Sequence, residues 1–343
     1  MKGYIEASKF PLVEIAGKKI PRIILGTHPF DGTTYTSKER DQEYLKRWTG
    51  PRSMVELMKP IVQRFGVTAS RAFPAESAES GLRKWHREAL RLTMEELDTE
   101  IAMILGSVLP TKGSLNTASY LYSLNRKLSG EEFQRKWKRD PIVRYGFERQ
   151  DATQAEIDDF AKKASEFPLD IPEELKKAEV DYEKLDSMLG IWKGFNVPIY
   201  ASNERWEFLV LARRFDELQQ IADLVRKRIG NFFLGTHNAG LVIPMTEEAR
   251  LRVDGYLMPV NKAGILMFPT QRLAVEAIRN ARKPVIGIKP LGGGRIRPME
   301  AFRYVFEEVG IPTTMVGIGS MDEAEETLGA AASILKTGDD KST

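Results

Sequence analysis

The chain contains no cysteine, which removes disulfides, iron–sulfur clusters, thiolate zinc sites and cysteine nucleophiles together. It has only three histidines in 343 residues, so acid–base chemistry on imidazole has few places to sit. No apolar run approaches the ~18 residues of a membrane span. The opening MKGYIEASKFPLVEIAGKKIPRIIL lacks the apolar core of a signal peptide. Neither sign of charge dominates, since 51 Lys and Arg face 48 Asp and Glu. No basic tail or stripe gathers the surplus, so nucleic acid and anionic membranes are poor partners. These absences lead to the expectation of a soluble, cytoplasmic protein with a small-molecule ligand, for which a homo-oligomer is also compatible.

What is present is rhythm. The segment 12–20, LVEIAGKKI, reads as a hairpin turning at Ala16, Gly17 and Lys18. Eight short apolar or β-branched runs follow, at 22–28, 67–72, 101–108, 198–203, 231–237, 254–260, 284–290 and 313–319. Most are separated by amphipathic helical patterns, and most end in a small or polar residue. Eight strands alternating with helices predict an α/β fold, a closed (β/α)8 TIM barrel; a doubly wound open sheet is the alternative. Capping-box patterns at Ser53–Glu56, Thr93–Glu96, Thr153–Glu156 and Ser320–Glu323 mark expected helix starts. Between strands three and four the rhythm breaks. Residues 111–196 form a polar, strongly helical insertion, with PIVRYGF (141–147) as its one candidate strand. A structureless connection of that length is improbable in a compact domain, so the insertion reads as a lid, a solvated helical layer or a subunit contact within a single domain spanning 1–343.

The last two strands each run into glycine. KPVIGIKPLGGGRIRP carries Gly292, Gly293, Gly294 and Arg295, with Arg297 close behind. IPTTMVGIGS carries Gly317, Gly319 and Ser320. Glycine lets backbone N–H groups approach a ligand, a helix N-terminus favours an anion, and the loops after strands seven and eight of a barrel commonly hold phosphate. A tight turn explains the triple glycine equally well, and Ser320 equally serves as a helix cap.

The tetrapeptide Leu-Gly-Thr-His occurs twice, at 25–28 and 234–237, which puts His28 and His237 at the ends of strands one and five. Catalytic groups of barrels sit at such ends. His86 falls inside a helical pattern and reads as structural. Other polar strand-end groups are Asp31, Arg71, Glu76, Asn203, Glu204, Asn238, Asn261, Lys262 and Lys289. Three chemistries fit: acid–base work on a carbonyl or sugar-like substrate by His28 or His237, with Lys289 or Arg71 holding an anion; a metal on His28, Asp31 and His237; or a Schiff base on Lys262 or Lys289. Metal is the less favoured of these, because a paired His-x-His on strand one is missing.

The order of hairpin, IPRIILGT, LGTHN, IKPLGGG and VGIGSMDEAEETL resembles the aldo-keto reductase superfamily. The resemblance is loose over the whole chain and closer over 230–335. It implies a TIM barrel whose hairpin closes the bottom, with NADP(H) across the C-terminal face and its phosphate at the closing glycine loops. There Asn238, Asn261 and Lys262 join Gly292–Arg295 and Gly317–Ser320 as cofactor-binding candidates. It also implies an Asp–Tyr–Lys–His tetrad, and here the match fails. The family's Asp position falls on Arg71, in Gly66-Val-Thr-Ala-Ser-Arg71, and its Tyr position falls near Glu76. Strand three offers Leu105, Gly106 and Ser107 where a lysine is expected. Strand four offers Ser202 and Asn203 where a histidine is expected. The fold carries over and the mechanism does not, which leaves as alternatives a metal- or lysine-dependent hydrolase or lyase using His28 and His237, or a non-catalytic barrel. The candidates left for catalysis are His28, Asp31, Arg71, His237 and Lys289.

Overall fold

A computed structural model of the chain describes residues 9–73, 81–112, 117–166, 179–203 and 206–339; Glu76 and Glu204 lie outside them. Strands β1 (Leu12–Ile15) and β2 (Lys18–Pro21) pair antiparallel, with Val13 opposite Ile20. The connecting Ala16 and Gly17 are both left-handed, at φ 49° and 75°, as a two-residue hairpin turn requires. Eight parallel strands then close on themselves: β3 (Ile23–Gly26), β4 (Ala69–Arg71), β5 (Ala102–Leu105), β6 (Ile199–Ala201), β7 (Asn231–Gly235), β8 (Gly255–Pro259), β9 (Val285–Ile288) and β10 (Thr313–Gly317). β10 returns to β3 in the register Gly317 opposite Gly26. The barrel is closed, and the open-sheet alternative is set aside.

Alternation within each strand explains why both faces are apolar. Ile24, Ala69, Ile104, Ile199, Phe233, Leu257, Ile286 and Met315 point inward and fill the barrel. Ile23, Leu25, Met103, Tyr200, Phe232 and Tyr256 point outward under the helices. A strand covered on both sides must be apolar at every position, which is the pattern the sequence shows. Ile15 and Ile20 of the hairpin belong to the interior cluster, so the hairpin seals the bottom. The turn is tied there by Asn231 Nδ2, which donates to the Ala16 carbonyl at 2.8 Å.

Three local expectations are corrected. The helix Pro51–Phe65 starts two residues before Ser53, with Pro51 in its first turn; Ser53 donates back to the Gly50 carbonyl and does not begin the helix. Thr93 is buried in the middle of the continuous helix Gly81–Leu97, so Thr93–Glu96 caps nothing. Residues 141–147 are helical, in Pro141–Arg149. Asp140 Oδ1 accepts from the N–H groups of Ile142 and Val143, and an N-cap followed by proline outweighs the β-branched pair. Thr153 and Glu156 do form their reciprocal capping box.

Between β5 and β6 the described residues form helices Thr117–Arg139, Pro141–Arg149, Gln154–Glu166 and Tyr182–Gly190, the first broken at Gly130 (φ 65°). This layer is fastened to two loops at the C-terminal end of the barrel. Asp140 Oδ2 accepts from Leu266 N–H at 2.6 Å, and Lys136 Nζ donates to the Met267 carbonyl at 2.6 Å. Phe133 packs edge-on against Phe268. At the other loop, Tyr145 donates to Asp41 at 2.6 Å and Arg149 to Thr33 Oγ1 at 2.8 Å. No helix among the described residues is long and apolar enough to cross a membrane.

Candidate functional site

The C-terminal mouth of the barrel is built from the segments that follow β3 and β9. After β3 the chain makes one tight turn, His28–Asp31, with Pro29 in its first turn and left-handed Gly32 (φ 73°) ending it. Phe30 is fully buried and stacks on Trp48. That anchor turns His28 outward, with its side chain 48% exposed, while Asp31 turns inward, at 10%. His28 Nδ1 lies 3.8 Å from Asp31 Oδ1, and Arg83 donates to Asp31 Oδ2 at 2.9 Å. Burial opposes ionisation of Asp31, but His28, Thr33 and Arg83 outweigh it and hold the carboxyl down at about 2. It is a fixed negative charge beside His28 throughout the physiological range.

Tyr35 completes the cluster. Its ring meets His28 edge-on at 5.1 Å, and its hydroxyl accepts from Lys289 Nζ at 3.0 Å. The ammonium also lies over the ring face, 4.6 Å from its centre. Tyr35 (φ 61°) and Lys289 (φ 57°) both hold left-handed backbone, as does Leu266 (φ 55°) on the neighbouring loop. Such conformations cost a non-glycine residue of order 1 kcal/mol or more, and they persist where surrounding structure enforces them, commonly at functional sites. Strand order explains the meeting. β9 and β3 are separated only by β10, whereas β7, which carries His237, is four places round from β3.

The remaining candidates divide by what the fold does with them. The Arg71 guanidinium reaches from β4 across β5 to β6, donating to the carbonyls of Leu105 (2.9 Å) and Ala201 (3.0 Å). Ser107 bonds the Tyr200 hydroxyl, and Ser202 accepts from Gly235 N–H. After β7, Thr236 Oγ1 and the N–H groups of His237 and Asn238 all donate to one buried carboxylate, Glu207. Asn238 is fully buried, and neither of its amide atoms has a hydrogen-bond partner. Asn261 is also buried and ties its own loop, donating to and accepting from Ile265 at 2.9 Å. Lys262 is at the surface, paired with Glu300 at 2.8 Å.

The glycine loops touch protein first. Gly292, Gly293 and Gly294 are successively left-handed (φ 57°, 69°, 78°), and Arg295 donates back to the carbonyls of Gly292 and Gly293 at 3.1 Å. A β-carbon on Gly293 would lie 2.9 Å from Tyr35 Cβ. A β-carbon on Gly319 would lie 2.2 Å from the Tyr44 ring, and one on Gly317 2.8 Å from Pro29. Ser320 accepts from Glu323 N–H at 3.2 Å, so it caps the helix Met321–Asp339. Glu323 in return accepts from Gly319 N–H at 2.8 Å.

Two groups had no signal in the sequence pattern. Tyr35 sits in a polar, glycine-containing loop with no periodicity, and Glu207 opens a helical run where a glutamate normally faces water. Among the described residues no three His, Asp or Glu side chains gather as a metal-holding group, so a metal set of His28, Asp31 and His237 is not assembled.

His86 is fully buried between Phe30 and Phe73, with ring centroids 4.7 and 5.1 Å away, and neither ring nitrogen has a hydrogen-bond partner. Burial pushes its imidazole down from 6.5 to about 3, against the pull of Asp31. As pH falls through 6.5 the unfolded chain takes up a proton that the folded chain refuses, so stability drops until about pH 3. Asp31 adds to the loss below 3.8, where the unfolded carboxyl protonates first. The His86 contribution between pH 7 and pH 4 is on the order of 3 kcal/mol. Denaturant unfolding at both pH values should therefore show a much smaller difference for His86→Met than for the wild type; an equal difference would contradict this role.

No protein-family model matches the chain, and no curated protein matches it in sequence. Solved structures do match. Two structures from Pseudomonas aeruginosa assigned to the aldo-keto reductases superpose with TM-scores of 0.51 and 0.52 at 12% identity. They cover 96% and 94% of this chain and 99% and 95% of their own. A glycerol dehydrogenase from Gluconobacter oxydans superposes with a TM-score of 0.50 at 9% identity, covering 94% of each chain. At these identities the likeness is one of fold: the chain has the barrel architecture of the aldo-keto reductases.

Proposed function

We propose that the chain is an enzyme that binds an anionic small molecule, a nucleotide cofactor or a phosphorylated compound, at the C-terminal face of the barrel. There it exchanges a proton with a carbonyl or hydroxyl group of its substrate. The observation that carries this reading is the Tyr35–Lys289 contact at 3.0 Å, set beside His28 and Asp31. A lysine ammonium has no acceptor, so the phenol oxygen accepts from it and the phenol proton is directed elsewhere. The same positive charge stabilises the phenolate left when that proton is given up. His28, over its fixed carboxylate, is the second group able to carry a proton. Arg295 and Arg297 are exposed beside Lys289 on one loop and supply positive charge for an anionic group.

The aldo-keto reductase fold suggests NADP(H) as the cofactor, which would supply hydride to a carbonyl. Its phosphate fits poorly at the loop after β10, where the Gly319 N–H already donates to the Glu323 carboxylate. No step is assigned to it, and a nucleotide would have to place its anionic group at the loop of residues 289–297.

The test is a panel of aldehydes, ketones and sugar phosphates, offered with and without NADPH. Both NADPH absorbance and deuterium uptake from solvent into the substrate would be followed. Turnover of at least one member is expected, and its loss in Tyr35→Phe ties the chemistry to this cluster. Turnover that survives Tyr35→Phe intact would sink the assignment.

A further inference from the structure

We infer that Glu323 is an internal substitute for a bound anion: it fills the position at the loop after β10 where a barrel of this kind takes a phosphate, and so excludes phosphate from that loop. The inference deepens the function proposed above, and rests on it only for the premise that the ligand is anionic.

The general expectation for the last loop of a barrel is an anion on backbone N–H groups at a helix N-terminus. The helix here is long, Met321–Asp339, and the glycines are in place. What they face is the chain itself. The Glu323 carboxylate, two residues into the helix, accepts from Gly319 N–H at 2.8 Å through Oε2. Its Oε1 accepts from the Tyr44 hydroxyl and lies 3.4 Å from Arg47 and 3.5 Å from Arg40. Arg47 also donates to the Gly319 carbonyl at 2.8 Å, and both guanidiniums lie over the Tyr44 ring, at 4.2 and 5.0 Å. One backbone donor, one phenol, the Arg47 guanidinium and a helix dipole, with Arg40 shared between this carboxylate and Glu43, form a phosphate-type recognition set. The anion is supplied by residue 323.

Two further features fit this account. Burial and the Glu323 contact push the Tyr44 phenol up to about 12, so it stays a donor across the physiological range. Tyr44 also lies directly on Gly319, where a β-carbon would be 2.2 Å from its ring. Glycine at 319 is therefore explained by the tyrosine, with no ligand needed. A tethered carboxylate competes at an effective concentration on the order of millimolar or above. Free phosphate has to displace this carboxylate before it can use the loop, so the ligand's anionic group is directed to the Lys289–Arg297 loop.

The experiment compares wild type, Glu323→Ala and Glu323→Gln in the intact chain, titrated with inorganic phosphate and separately with NADP, by calorimetry and thermal shift. Glu323→Ala is expected to unfold at a lower temperature than wild type and to be restored by millimolar phosphate. It should bind phosphate at least tenfold more tightly than wild type, with Arg47→Met in the same background removing the gain. Glu323→Gln keeps the side chain's length and its bond to Gly319, so it serves if the alanine variant does not fold; removing the charge should give a smaller gain in the same direction. Equal phosphate affinity in wild type and both variants overturns the inference. So does tight phosphate binding by wild type that Arg47→Met abolishes. Tyr35→Phe should leave the phosphate gain unchanged, so failure here is distinguishable from failure of the Tyr35–Lys289 assignment.

Discussion

Replacing Tyr35 with phenylalanine is expected to lower turnover by about two to four orders of magnitude, with substrate KM changed by no more than a few-fold. The ring is retained, so its edge contacts with His28 (5.1 Å) and Tyr145 (5.8 Å) persist. What is lost is the oxygen that accepts from Lys289 at 3.0 Å and the proton it would give. Lys289→Met keeps length and apolar bulk and removes the charge, so it should act on the same step. If the two residues work as one acid, the double variant should be scarcely slower than either single variant, because the effects of groups acting as a unit do not add. Independent, multiplying losses would contradict a shared acid. A fall in kcat/KM through KM alone would reassign the pair to binding.

Replacing Glu207 with alanine is expected to reduce stability by about 3–5 kcal/mol. The side chain is buried, at 5% exposure, and one of its oxygens serves the Thr236 hydroxyl and the N–H groups of His237 and Asn238. Alanine leaves the Thr236 hydroxyl and the His237 N–H without this acceptor, while Asn238 N–H keeps Thr236 Oγ1 at 2.8 Å, and each unmet buried donor costs about 1–3 kcal/mol. Glu207→Gln keeps the acceptor and the shape, and should cost roughly half as much. Urea unfolding monitored by circular dichroism measures both; a lowered midpoint at unchanged slope reports stability alone. A Glu207→Ala protein within about 1 kcal/mol of wild type would show that the strand-five end does not depend on this carboxylate.

The barrel was legible because strands buried on both faces leave an unmistakable trace. Runs such as RIILG, AMIL and NFFLG are apolar at successive positions, and most of the seven intervals between the eight strands are filled by helical periods. The hairpin was legible from Ala16–Gly17 between two alternating runs. Residues 141–147 were misread because Ile142 and Val143 weigh toward a strand, while the deciding contribution, Asp140 capping both of their N–H groups, lies just outside the apolar run.

The site was legible only in part. His28, Asp31 and Lys289 were nominated by their place at strand ends, and they do gather. Tyr35 was not nominated, although its hydroxyl accepts from Lys289 and its ring meets His28. The two Leu-Gly-Thr-His segments show the limit most clearly. After the first, Pro29 and the buried Phe30 turn His28 outward over the mouth. After the second, the same tetrapeptide is gripped through its backbone by Glu207. Identical sequences part ways because their neighbours in space differ.

The barrel, its closing hairpin and the exclusion of cysteine chemistry can be read from the unfolded chain. These follow from periodicity and composition, which are local and repeated many times along the chain. Which polar groups meet, and what several of the glycines make room for, is fixed only by folding. A glycine reports only that something comes close to the backbone. Here Tyr44 lies on Gly319 and Tyr35 on Gly293, approaches made across 275 and 258 residues of chain. No local pattern encodes contacts at that separation, because they are fixed by barrel closure and by how the segment after the first strand packs over the last two.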